Sequence, residues 1–107
     1  MTADLELDGA ADGHTVTLAV GQGLRLRLAQ NPTTGYQWSV SGSGGLSLES
    51  SVFTPVGASA GGGGGREFLW RARSAGSHRI DLALRRAWEP IDKALGRFTL
   101  TVVVEGP

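Results

Sequence analysis

Apolar and polar residues alternate along most of the chain with the two-residue period of strands, not the 3.6-residue period of helices. Val16, Leu18 and Val20 alternate with Thr15, Thr17 and Ala19. Leu24, Leu26 and Leu28 alternate with Arg25 and Arg27, and Tyr36, Trp38 and Val40 with Gln37 and Ser39. Farther on, Phe68, Trp70 and Ala72 form a run in which Leu69 blurs the inward face. Ile80, Leu82 and Leu84 oppose Asp81, Ala83 and Arg85, and Phe98, Leu100, Val102 and Val104 oppose Arg97, Thr99, Thr101 and Glu105. An acidic edge strand is expected over residues 3–8 and a further strand near 51–54; only residues 89–95 suit a helical turn. Short strands with turn signals at regular spacing predict an all-β fold, an immunoglobulin-like antiparallel β-sandwich of about seven strands. Trp38 and Trp70 are expected in its core. A chain of 107 residues suits one domain, 1–107, with a single modest core.

If successive strands run antiparallel, their connections alternate between the two ends of the sandwich. Loops 30–35, 56–65 and 86–96 then share one end, and connections 41–50 and 74–77 share the other. The first of these loops, Asn31-Pro32-Thr33-Thr34-Gly35, is stiff. Pro32 fixes its own φ and holds Asn31 extended. The Asn31 side chain can bond the backbone two residues on, and Gly35 can take positive φ as the chain re-enters the sheet. By itself this is a well-made turn or a rigid display of Thr33 and Thr34. The second loop contains Gly61 to Gly65. It is either a flexible linker or a backbone able to lie flat against a partner. In the third, Trp88 lies past the last alternating residue and just before Pro90. It either folds back on the domain or serves as an exposed anchor, a role in which Trp and Arg are enriched.

Other chemistry is excluded or weak. Gly57-Ala58-Ser59-Ala60-Gly61 has the letters of a hydrolase nucleophile elbow. It lacks the following helix, and the downstream His78 precedes Asp81, against the required order. The glycine run has no Gly-Lys-Ser/Thr, so it is no phosphate loop. His14 and His78 have no neighbours at metal-ligand spacing, and Asn31-Pro32-Thr33 is no glycosylation acceptor because proline sits in the middle. No enzyme constellation, metal or cofactor is expected.

Ten basic and ten acidic residues give zero formal net charge, which argues against nucleic-acid or membrane partners. Nine of the ten bases are arginine, suited to pairing and interfaces. The absence of cysteine removes disulfides and thiol chemistry and permits folding in either redox compartment. Residues 1–13 do not read as a signal peptide, so the expected location is cytoplasmic as the chain stands, or periplasmic or secreted if a leader was removed.

Taken in order, Asn31 to Gly35 followed by Tyr36, the glycine run and Arg86-Ala87-Trp88 resemble the chagasin family, immunoglobulin-like inhibitors of papain-like cysteine peptidases. The resemblance spans nearly the whole chain. It departs at Ala87, where the family usually has proline, a change expected to loosen the third loop. The five glycines leave the register of the second loop open by one residue. The resemblance implies a monomeric, reversible, non-covalent competitive inhibitor whose target is a papain-like cysteine peptidase. Asn31, Pro32, Thr33, Thr34 and Gly35 would enter the active-site cleft. Gly62, Gly63, Gly64 and Gly65 would run beside the substrate groove, and Arg86, Ala87 and Trp88 would grip the rim. Thr33, Thr34 and nearby backbone N–H groups would offer hydrogen bonds to groups around the catalytic Cys–His pair, and Arg86 would donate to the enzyme. The alternative is an immunoglobulin-like adhesion or structural module that binds another protein or a glycan through the same loop end.

Overall fold

The computed structural model describes residues 3–55 and 63–106, with Pro32 and Ile91 described by backbone alone. Eight strands form where the alternation lies: β1 (Leu5–Asp8), β2 (Thr15–Ala19), β3 (Gly23–Gln30), β4 (Tyr36–Gly42), β5 (Ser47–Pro55), β6 (Gly64–Arg71), β7 (Gly76–Arg86) and β8 (Gly96–Glu105). They make two four-stranded sheets, ordered β1-β3-β6-β5 and β2-β8-β7-β4. Among the described residues the strand count is thus eight rather than about seven.

The apolar residues of each period-2 run turn inward together. Leu24, Leu26 and Leu28 of one sheet meet Ile80, Leu82, Phe98, Leu100 and Val102 of the other, all of them buried. Each such side chain contributes roughly 1.5–3 kcal/mol by leaving water. Leu69 does not disturb the inward face, because Phe68, Trp70 and Ala72 are buried while Leu69 is only partly covered. Phe68 and Trp70, two residues apart on one face, stack with ring centroids 5.3 Å apart. Trp70 is completely buried, whereas Trp38 is half-buried and packs against the margin of the core. Trp38 is therefore not the central tryptophan that its alternating strand implied. It lies on edge strand β4, which has a neighbouring strand, β7, on one side only.

The sandwich is not wholly antiparallel. β1 pairs with β3, and β2 with β8, in parallel. Neither pair is a hairpin. The chain crosses from β1 in one sheet to β2 in the other and back to β3, and a strand laid on an edge after such a crossing takes its direction from the crossover, which alternation does not encode. β5 is longer than expected and carries a bulge between Leu48 and Ser50.

The two-ended arrangement of loops holds among the described residues. At one end, His78 ties two connections together: Gly45 N donates to its Nδ1 at 3.0 Å, and its Nε2 lies 3.0 Å from the Ser74 carbonyl. Since Nδ1 accepts, Nε2 carries the proton and donates. His78 is thus a structural fastener at the pole remote from Asn31–Gly35.

Candidate functional site: three loops at one end of the sandwich

The Asn-Pro loop is a one-turn 3-10 segment, Pro32–Thr34, closed by its own side chains. Asn31 Oδ1 accepts from the Thr33 N–H at 3.0 Å and from the Thr33 hydroxyl at 2.7 Å. The Asn31 carbonyl accepts from the Thr34 hydroxyl at 2.9 Å, and Thr34 Oγ1 in turn accepts from Tyr36 N at 3.3 Å. Both threonine hydroxyl hydrogens are therefore spent inside the loop. Each hydroxyl has one hydrogen, and in the free protein these bonds make the loop rigid. Asn31, Thr33 and Thr34 are all exposed.

Gly35 closes the loop at φ +80°, in the left-handed region where an L side chain is strained. A Cβ placed there would also lie 3.3 Å from Cη2 of Trp88. This glycine therefore permits both the turn and the close seating of the indole.

The third loop begins as a β-turn, Arg86 to Glu89, closed by Glu89 N donating to the Arg86 carbonyl at 3.1 Å. The turn lifts Trp88 into solvent, 74 % exposed. Arg86, the last residue of β7, braces this loop against the first. Its Nε donates to the Thr34 carbonyl at 3.3 Å, and its guanidinium lies 4.5 Å from the Tyr36 ring centroid and 5.9 Å from that of Trp88. It also reaches Glu89 at 3.5 Å. Much of its donor capacity is thus directed within the molecule. Ala87 is exposed at the second position of the turn.

The glycine run divides. Gly62, like the Gly57–Gly61 elbow pattern, lies outside the described residues. Gly63 precedes β6, and its Cβ position would face the Gln30 carbonyl at 3.8 Å. Gly64 and Gly65, expected in a loop, are the first residues of β6, paired with Gln30 and Ala29 of β3 and with Pro55 and Thr54 of β5. A Cβ on Gly64 would collide with the Thr54 carbonyl and the Phe53 ring. Glycine is required there by packing inside the sheet.

Two ties hold the ends of the Asn-Pro loop. Buried Gln30 accepts from Trp38 N through Oε1 at 2.8 Å, and the Trp38 indole N–H donates to the Ala29 carbonyl at 2.9 Å. These bonds join β3 of one sheet to β4 of the other directly below the loop. Gln30 continues the inward series Leu24, Leu26, Leu28, and a polar residue at the end of such a series is the signal that marks it. Beside these ties lies a groove of about 450 Å³ bordered by Gln30, Thr34, Tyr36, Gly64, Leu84 and Leu95. A larger hollow of about 620 Å³ runs along the β1 and β2 edges among Glu6, Arg25, Arg27 and Glu67, and contains none of the expected site residues. Among the described residues no group of three or more His, Cys, Asp or Glu could hold a metal ion.

The family model described as "Chagasin family peptidase inhibitor I42" matches residues 17–102. Chagasin of Trypanosoma cruzi is 34% identical over 98 residues, covering 85% of this chain and 89% of that protein. The fold is similar to that of the cysteine protease inhibitor EhICP2 from Entamoeba histolytica, with a TM-score of 0.87 at 24% identity and 96% of each chain covered. It is also similar to amebosin, with a TM-score of 0.80 at 31% identity, covering 95% of this chain and 98% of that one. The family-model match and the identity to chagasin show that the chain belongs to the chagasin family of peptidase inhibitors.

Proposed function

We propose that this protein is a reversible, non-covalent competitive inhibitor of papain-like cysteine peptidases, which it blocks with the Asn31–Gly35 wedge, the Gly63–Gly65 ribbon and the Arg86–Trp88 turn. Family membership supplies the inhibitor class, and EhICP2, of similar fold, is an inhibitor of cysteine proteases. The observation that carries the reading is the mutual bracing of the first and third loops through Arg86, Gly35 and Trp88.

A wedge cross-linked by its own hydroxyls enters a cleft with its shape already set, so little conformational entropy is lost on docking. The same stiffness keeps its peptide carbonyls out of the near-attack geometry that hydrolysis needs, so the chain blocks the cleft without being cut. Acceptor oxygens and exposed backbone groups of Asn31, Thr33 and Thr34 meet the polar groups around the peptidase's Cys–His pair. Trp88 supplies the apolar anchor on the rim, where a desolvated indole is worth most. An interface of about 1,600 Å² in total is expected.

The test is titration into papain and a cathepsin L-like peptidase. The expected outcome is loss of hydrolysis at micromolar inhibitor or below, relieved in proportion to added substrate and on dilution, with the inhibitor recovered uncut. Full activity at micromolar inhibitor would overturn the reading.

A further inference from the structure

Five large apolar side chains stand exposed among the described residues: Val20, Leu48, Val52, Trp88 and Leu95. Trp88 and Leu95, 74 % and 66 % exposed, both belong to the connection between β7 and β8. An apolar side chain in water is tolerated singly, but two on one short connection at the proposed binding end need a reason. Leu95 is also held firmly. Its N–H donates to the Leu84 carbonyl at 2.8 Å, and the 3-10 turn Ile91–Lys93 before it is closed by Lys93 N on the Pro90 carbonyl at 3.0 Å.

Leu95 lines the groove together with Gly63, Gly64, Tyr36 and Leu84. The groove continues into the wedge, since Asn31 and Thr34 also border it. Arg86 is its one charged lining residue among those described, and that guanidinium already lies over the Tyr36 ring and bonds Thr34 and Glu89. A lining of this kind suits an apolar guest, because an acidic one would find no uncommitted cation and would lose its hydration.

We propose that Leu95 is a second apolar anchor, and that the groove beside it receives an aliphatic or aromatic side chain from the rim of the peptidase's substrate cleft. This rests on the peptidase-inhibitor reading above and extends it. Trp88 then grips outward while Leu95 and the groove receive inward, so peptidases that differ in the residue presented to the groove are inhibited unequally.

Inhibition constants and dissociation rates of Leu95→Ala, Leu95→Asp, Leu95→Met and Val20→Asp are measured against two papain-like peptidases, beside the parent protein. We expect Leu95→Ala to raise the inhibition constant about tenfold and Leu95→Asp about a hundredfold, with Leu95→Met within about threefold of the parent. The Leu95→Ala effect should fall on dissociation, since no charge that steers association has changed. Val20→Asp, at an exposed position at the remote end, should inhibit like the parent. Thermal midpoints report folding, and if Leu95→Asp melts early the comparison of Leu95→Ala with Leu95→Met decides. Leu95→Ala and Leu95→Asp within about twofold of an inhibiting parent would overturn the anchor and leave the inhibitor reading intact. A parent that inhibits neither enzyme overturns both.

Discussion

At Gly35 a single missing methyl serves two purposes: a backbone at φ +80° and room for the Trp88 ring. Gly35→Ala is expected to destabilise the fold by about 1–2 kcal/mol, read as a lower urea midpoint, and to weaken inhibition as the indole is displaced. An unchanged midpoint would mean the backbone relaxes without strain. Trp88 itself is exposed in the free protein, so its removal leaves the fold nearly untouched. Trp88→Ala should cost about 2–4 kcal/mol of binding with no loss of thermal stability; an unchanged inhibition constant would take Trp88 out of the interface. The residue scale was partly legible in the sequence. The Asn31 cap and the positive φ of Gly35 follow from the conformational preferences of asparagine, proline and glycine, which are local. The fate of the threonine hydroxyls was less so. They satisfy Asn31 before any partner arrives, and only the loop's closed geometry decides that.

Between residues and the whole lie the turns and ties that aim the loops. Ala87 is the second residue of the Arg86–Glu89 turn, where proline's fixed φ fits either common turn type, and Arg86 before it is already extended in β7. Ala87→Pro should therefore raise stability by about 0.4–1 kcal/mol through a stiffer unfolded chain and tighten inhibition. A fall in melting temperature would show that the present turn cannot accept proline. Gln30 is the complementary case. Replacing it by leucine keeps the bulk but leaves the Trp38 N–H without its acceptor below the wedge, at an expected cost of about 1–3 kcal/mol in urea denaturation. An unchanged midpoint would show that water or a rearranged neighbour supplies the bond. Strand positions followed from alternation because burial imposes it. Parallel pairing of β1 with β3 and of β2 with β8, the β5 bulge and the entry of Gly64 into β6 did not, because they depend on crossovers and on close cross-strand packing such as that of Gly64 against Phe53.

At the scale of the whole molecule, the end remote from the wedge carries an ion-pair cluster: Arg71 and Arg73 meet Glu49 at 3.0 and 3.4 Å, and Arg71 also approaches Asp4 at 3.7 Å. The Arg71 hydrogen bond, opposed by partial desolvation and aided by the charges of Arg71 and Arg73, holds the Glu49 carboxyl below its ordinary value. A carboxylate with a depressed folded-state pKa stabilises the protein above its ordinary, unfolded-state value, and that contribution is lost as pH falls through the folded-state value. The group is exposed, so the effect is small. Glu49→Gln should flatten the acid limb of stability, seen in urea midpoints at neutral and acid pH, without changing inhibition. Equal acid limbs in the two proteins would place the acid sensitivity elsewhere.

The convergence of the loops at one pole was legible from strand parity, whereas Leu95 was not, since an apolar residue after the last alternating position carries no periodicity to place it. The most direct measurement is amide hydrogen exchange of the protein free and bound to a papain-like peptidase. The expected result is new protection at 31–36, 63–65 and 86–95, with none at 43–46 or 74–78. Protection confined to the His78 pole, or absent from the Asn31–Gly35 wedge in a bound complex, would contradict it.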